Sequence, residues 1–233
     1  MRQILRSITQ GLSLPSICTL CNQFHKGSLA VCSFCMETLT PLGPCCQHCA
    51  YPLPQTDYLV CGRCIKKPPH FDRAYIGYQY DEPLRGLLHQ FKYRNGLYLS
   101  SFLSHLITQS FPNTHSNSPC LIPIPMHPKK IKQRGFNQAA ILAKLLAKQY
   151  KLACDYKSCQ KITNTAAQAT LNGEERQRNL HQSFKINQIP YSHVILIDDL
   201  LTTGSTANEL ARVLKKSGVQ QVDICCCARA VYD

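Results

Sequence analysis

No run of eighteen apolar residues occurs anywhere in this 233-residue chain, which excludes an ordinary membrane-spanning helix. Residues 1–16 lack a continuous hydrophobic segment: Arg2, Arg6 and Gln10 interrupt the apolar positions, and there is no small-residue cleavage site of the usual kind. No signal peptide is expected on that pattern. Acidic residues are scarce, 13 Asp and Glu against 26 Lys and Arg, for a formal charge of +13. That excess suits a protein that meets polyanions, whether nucleic acid or nucleotide phosphates, without choosing between them. Internal repeats are absent apart from paired cysteines. The expected compartment is the cytoplasm, where clustered cysteines are metal ligands more often than disulfides.

Cysteine is plentiful but uneven, with nine of fifteen lying between Cys18 and Cys64. They fall as Cys18 and Cys21, Cys32 and Cys35, Cys46 and Cys49, and Cys61 and Cys64, four pairs each with two residues between. A turn of that spacing aims two thiolates at one ion, and two turns complete a tetrahedral shell around zinc. The simplest pairing is sequential and gives two structural zinc sites, with an interleaved arrangement left open. Cys45, His25 and His48 could each stand in as a ligand. Filled shells leave no place for substrate, so these sites would stabilise a segment too short for a core of its own.

Turn residues are dense from Pro41 to Pro69, and Lys66, Lys67, Pro68 and Pro69 mark a domain boundary. Residues 1–69 read as the zinc module and 70–233 as an α/β domain, because strand-like and helix-like segments alternate from there on. Arg73 to Gln79 reads as a strand. Pro83 to Tyr93 reads as a helix with Leu84, Leu87, Leu88 and Phe91 on one face, and Leu97 to Gln109 as another. Cys120 to Ile124 is a short buried strand, followed by a basic loop and a helix over Asn137 to Tyr150. Val194 to Ile197 is the next core strand, Ser205 to Lys216 a helix capped by Gly218, and Val222 to Ala228 closes the sheet. Cys225, Cys226 and Cys227 are small buried residues of an edge or final strand with no chemistry assigned.

After Val194 to Ile197 come Asp198 and Asp199, then Thr202, Thr203, Gly204, Ser205 and Thr206 at the start of a helix. The carboxyl end of a parallel strand is where α/β proteins bind ligands, and two carboxylates there can accept hydrogen bonds from ribose hydroxyls. A helix N-terminus offers free amides and a positive dipole end to a phosphate. A strand exit and cap would need one such polar residue, and here six surround a glycine.

Val194 to Thr206 resembles the signature of type I phosphoribosyltransferases, which bind 5-phosphoribosyl 1-pyrophosphate with magnesium. The resemblance implies that Asp198 and Asp199 take the ribose hydroxyls and that Thr202 to Thr206 cradle the 5′-phosphate. It narrows to the ComF/GntX family of competence-associated proteins. The paired cysteines resemble that family's double zinc ribbon, Ile122 to Pro125 with Lys129 to Gln138 resembles its second-strand loop, and Gln168 to Leu171 with Glu175, Arg176, Arg178 and Asn179 resembles its mobile loop. The implied fold is a phosphoribosyltransferase-like parallel sheet flanked by helices, preceded by a small zinc-ribbon domain.

Lys129, Lys130, Lys132 and Arg134 put four cations in six residues, and Lys92 and Arg94 flank Tyr93. Such residues line a solvated face, or serve as a lid or a DNA-binding surface together with Arg176. The leading functional expectation, implied by the resemblance, is handling of single-stranded DNA in natural transformation. A working phosphoribosyltransferase on a small acceptor is the second expectation. The third is an adaptor that docks a ComFA-like helicase or another uptake component.

Overall fold

The computed structural model describes residues 15–54, 57–114, 118–163 and 183–231. The segment resembling a mobile loop, with Arg176, lies outside them. In chain order the elements are β1 (Ser16–Ile17), β2 (Phe24–His25), α1 (Ser33–Met36), α2 (Gly62–Lys66), β3 (Arg73–Gln79) and α3 (Leu84–Tyr93). A 3₁₀ turn (Gly96–Leu99) leads into α4 (Ser100–Thr108), then β4 (Cys120–Pro123), α5 (Pro128–Arg134), α6 (Gln138–Tyr150), β5 (Cys159–Lys161) and β6 (Phe184–Ile186). The chain continues through β7 (His193–Ile197), β8 (Leu200–Leu201), α7 (Ser205–Lys216) and β9 (Gln221–Arg229).

The central sheet runs β3-β9-β7-β4, every pairing parallel, and β8 also pairs with β9. Side chains of a strand alternate between faces, so a strand covered on both must be apolar throughout. Ile195, Ile197, Cys225 and Cys227 face a core built from α3, α4 and α6 through Leu87, Phe91, Phe102, Leu103, Leu142 and Leu146. Val194, Leu196, Ile224 and Cys226 face the other core, closed by Ala207, Leu210, Ala211 and Leu214 of α7. β9 is thus the last strand in sequence but an interior one in space, and the three cysteines are buried on both faces. Burial pushes their thiols well up, which suits packing and not reactivity.

One departure from the sequence reading affects the site. The basic run is the helix α5, begun by Pro128 at its first position and stopped by Gly135 at φ +88°. The basic loop expected there is thus a short helix that Pro128 starts. The zinc module is also joined closely to the sheet: Leu42 N donates to Gly77 O at 2.8 Å and Gln79 N to Thr40 O at 3.0 Å, so residues 40–42 line the free edge of β3.

Candidate functional site

The N-terminal thiols form two separate clusters, Cys18, Cys21, Cys32 and Cys35, and Cys46, Cys49, Cys61 and Cys64, with all four sulfurs of each within 4.8 Å of one another. The pairing is therefore sequential. Tetrahedral zinc with Zn–S bonds of about 2.3 Å sets its sulfurs ~3.8 Å apart. The Cys21–Cys32 and Cys49–Cys61 separations of 3.9 and 3.7 Å fit that shell. Burial would raise the Cys18 and Cys46 thiols, but backbone amides aimed at the sulfurs outweigh it and lower them to about 6 and about 7, favouring the thiolate that zinc requires. Cys45 is outside both clusters. His25 Nδ1 instead accepts from Gly27 N, and His48 Nδ1 lies 3.0 Å from Asp72 O.

Asp198 and Asp199 leave β7 at its carboxyl end, beside the interior of β9. Asp198 N donates to Cys225 O, Asp199 O accepts from Cys227 N, and Asp199 N donates to Asp198 Oδ1 at 2.9 Å. The two carboxylates thus share one rigid corner. Burial and the adjacent Asp199 push the Asp198 carboxyl up to about 8. Asp199 is buried and meets Lys92, whose Nζ stands 2.6 Å from its Oδ2. Burial works against the Lys92 charge, yet Asp199 more than offsets this and Lys92 titrates above the usual lysine value.

From Asp199 the chain passes through β8 to the threonine turn. Gly204 holds φ +76°, the left-handed region that a side chain disfavours, and this bend brings the chain to the first residues of α7. Thr203 Oγ1 accepts from Ser205 N at 3.3 Å and lies 2.8 Å from Ser205 Oγ. Capping therefore uses Thr203. The Thr202 and Thr206 hydroxyls take no partner among the described residues, so the turn carries more hydroxyls than its own geometry uses.

Of the cations singled out in sequence, Lys92, Lys130 and Arg134 line one cleft of about 530 Å³ with Tyr93 and Phe136. Residues 130 and 134 share a face of α5, four apart. Arg134 donates to Tyr93 OH at 3.0 Å and to Gln138 Oε1 at 2.9 Å, with its guanidinium carbon 4.7 Å from the Tyr93 ring centre. Lys129, Lys132 and Arg94 are exposed and do not line this cleft. Lys161 of β5 is a cation the motifs missed. Burial, aided by Lys130, pulls its pKa below the usual value while Asp198 opposes that, so it belongs to the same electrostatic group. A single lysine in a three-residue strand carries no sequence signal.

Residues 131–231 match the phosphoribosyl transferase domain family, and residues 10–65 match the double zinc ribbon domain family. The chain is 31% identical over 215 residues to competence protein F of Haemophilus influenzae, covering 88% of this chain and 93% of that protein. It is 29% identical over 228 residues to the DNA utilization protein YhgH of Escherichia coli K12, covering 94% and 100%. It is 28% identical over 228 residues to competence protein ComFC of Bacillus subtilis, covering 87% and 90%.

Proposed function

Because the chain belongs to the family of competence protein F, YhgH and ComFC, we propose that it handles single-stranded DNA in the cytoplasm during natural transformation and binds 5-phosphoribosyl 1-pyrophosphate at the end of β7. The observation that carries this reading is the convergence at one end of the sheet of a carboxylate pair, a threonine-glycine turn opening a helix, and Lys92 between the pair and a cationic cleft. Asp198 and Asp199 accept hydrogen bonds from the ribose hydroxyls. In the turn of Thr202, Thr203, Gly204, Ser205 and Thr206, backbone amides and the unpartnered hydroxyls of Thr202 and Thr206 take the 5′-phosphate, aided by the dipole of α7. Lys92 neutralises Asp199 until a ligand arrives.

Magnesium supplies charge neutralisation when it comes with the pyrophosphate. Among the described residues no third His, Cys, Asp or Glu joins Asp198 and Asp199 in a metal-holding group. That donor set fits a hard cation that draws its other oxygens from phosphate and water.

The cleft of Lys92, Lys130 and Arg134 joins positive charge to the Tyr93 ring, the combination that holds single strands by phosphate contact and base stacking. Fluorescence anisotropy of a labelled oligothymidylate, titrated at several salt concentrations, tests this reading. Affinity is expected to fall with salt with a log–log slope of about −0.7 per phosphate contacted, and the paired change Lys130→Glu/Arg134→Glu should flatten that slope. Binding indifferent both to salt and to the paired change would overturn it.

A further inference from the structure

Arg229 ends β9 and belongs to none of the motifs above, yet it is only 3% exposed, and among the described residues every hydrogen bond of its guanidinium goes to a main-chain carbonyl. Nε donates to Cys49 O at 3.0 Å. Nη1 donates to Leu201 O at 3.0 Å, to Ala230 O at 2.6 Å and to Thr202 O. Cys49 is a thiol of the second zinc cluster, and Leu201 and Thr202 lead into the phosphate turn. One side chain therefore grips the knuckle with one nitrogen and the turn with another. The Arg229 guanidinium also lies 5.7 Å from the Tyr51 ring centre, which Arg63 approaches at 5.9 Å.

The surroundings make the grip matter. A cleft of about 540 Å³ has Cys49, Cys61 and Cys64 in one wall and Thr203, Gly204 and Ser205 in another, so knuckle and turn are neighbours across it. Among the described residues no carboxylate pairs with Arg229, and a buried cation without a counter-charge is costly. Four thiolates around a divalent ion leave a formally anionic centre beside it. A filled cluster thus both fixes the Cys49 carbonyl and supplies the missing charge. Among the described residues the first cluster has no such tie: Cys18 and Cys35 pack against the core on the opposite face of the sheet from α7.

We propose that Arg229 is a positioning residue that couples the second Cys₄ zinc centre to the phosphate turn, so that zinc held there and a sugar phosphate at the turn favour one another. The proposal rests on the reading of Thr202 to Thr206 as a phosphate cradle. Linkage makes the effect reciprocal: whatever factor zinc adds to sugar-phosphate affinity, the sugar phosphate adds to zinc retention.

The experiment titrates the full-length protein to equilibrium with a chromophoric chelator that competes for zinc, with and without saturating ribose 5-phosphate, whose binding is measured separately by equilibrium dialysis. One of the two zinc ions should be held roughly fivefold more tightly against the chelator with the sugar phosphate present, the other with unchanged affinity. Arg229→Met should abolish the difference while a protein with both zinc ions is still recovered, and Arg229→Lys should restore part of it. Equal zinc affinities with and without bound ribose 5-phosphate would overturn the coupling. If ribose 5-phosphate does not bind, the cradle reading fails by itself, and the coupling is then decided by amide hydrogen exchange at Thr203 to Thr206. Exchange there must quicken when the chelator empties the second cluster, and unchanged exchange refutes the role given to Arg229.

Discussion

Lys92 Nζ stands 2.6 Å from Asp199 Oδ2, and this contact joins the end of α3 to the corner after β7. The lysine side chain is 20% exposed and the carboxylate 6%. Removing one partner of a buried pair leaves the other charge uncompensated, a loss of about 3 kcal/mol or more that the partial exposure of Lys92 reduces to roughly 2 kcal/mol. Lys92→Met should lose about that much in urea denaturation, and Asp199→Asn in the same background should recover most of it. A Lys92→Met protein as stable as the parent would refute the contact.

The raised carboxyl of Asp198 gives a dependence on pH with a definite sign. Its folded-state pKa, about 8, lies above the ordinary 3.8, so the folded protein holds the proton more tightly than the unfolded chain. The stabilising contribution is complete below about pH 4 and is lost as pH rises through about 8. Asp198→Asn should therefore raise the melting temperature of the ligand-free protein most above pH 8, by ~2–4 °C for each kcal/mol relieved. The gain should shrink toward pH 4. A gain that grows as pH falls would contradict the shift.

Gly204 is required by its φ of +76° and not by lack of room, since a Cβ there would meet only Leu201 and Phe71 side chains at ordinary distances of 3.7–3.8 Å. Gly204→Ala should cost about 1 kcal/mol in thermal denaturation and weaken sugar-phosphate binding. Gly96 is required for the other reason. A Cβ there would lie 2.6 Å from Gln90 O and 2.7 Å from Phe91 Cα, so Gly96→Ala should displace the last turn of α3, where Lys92 sits.

Metal analysis should find two zinc ions per chain, one for each cluster. Cys21→Ser and Cys49→Ser should each leave one, because the clusters share no ligand. Loss of both ions from either single variant would contradict the sequential pairing.

Much of this was legible in the sequence because its cause is local. β3 is bounded where the turn residues bound it, and Leu84, Leu87, Leu88 and Phe91 face inward because their spacing matches a helix. Asp198, Asp199 and the threonine turn were visible because they follow one strand directly. The remaining features come from tertiary placement. Nothing near Lys92 announces that it will meet Asp199, nor anything near Arg229 that it will hold Cys49, since both contacts cross the fold. The interior position of β9 is invisible in a linear order that puts it last. The cysteine spacing left the pairing open, and only the packed chain shows two separate clusters.

Every role proposed for the site depends on the corner after β7 holding a phosphorylated ribose. Calorimetric titration of 5-phosphoribosyl 1-pyrophosphate with magnesium, into the wild type and into Asp198→Asn/Asp199→Asn, is the decisive measurement. The wild type should bind saturably and the double variant at least tenfold more weakly, about 1.4 kcal/mol or more. Undiminished affinity in a folded double variant, or no binding by the wild type, would contradict it.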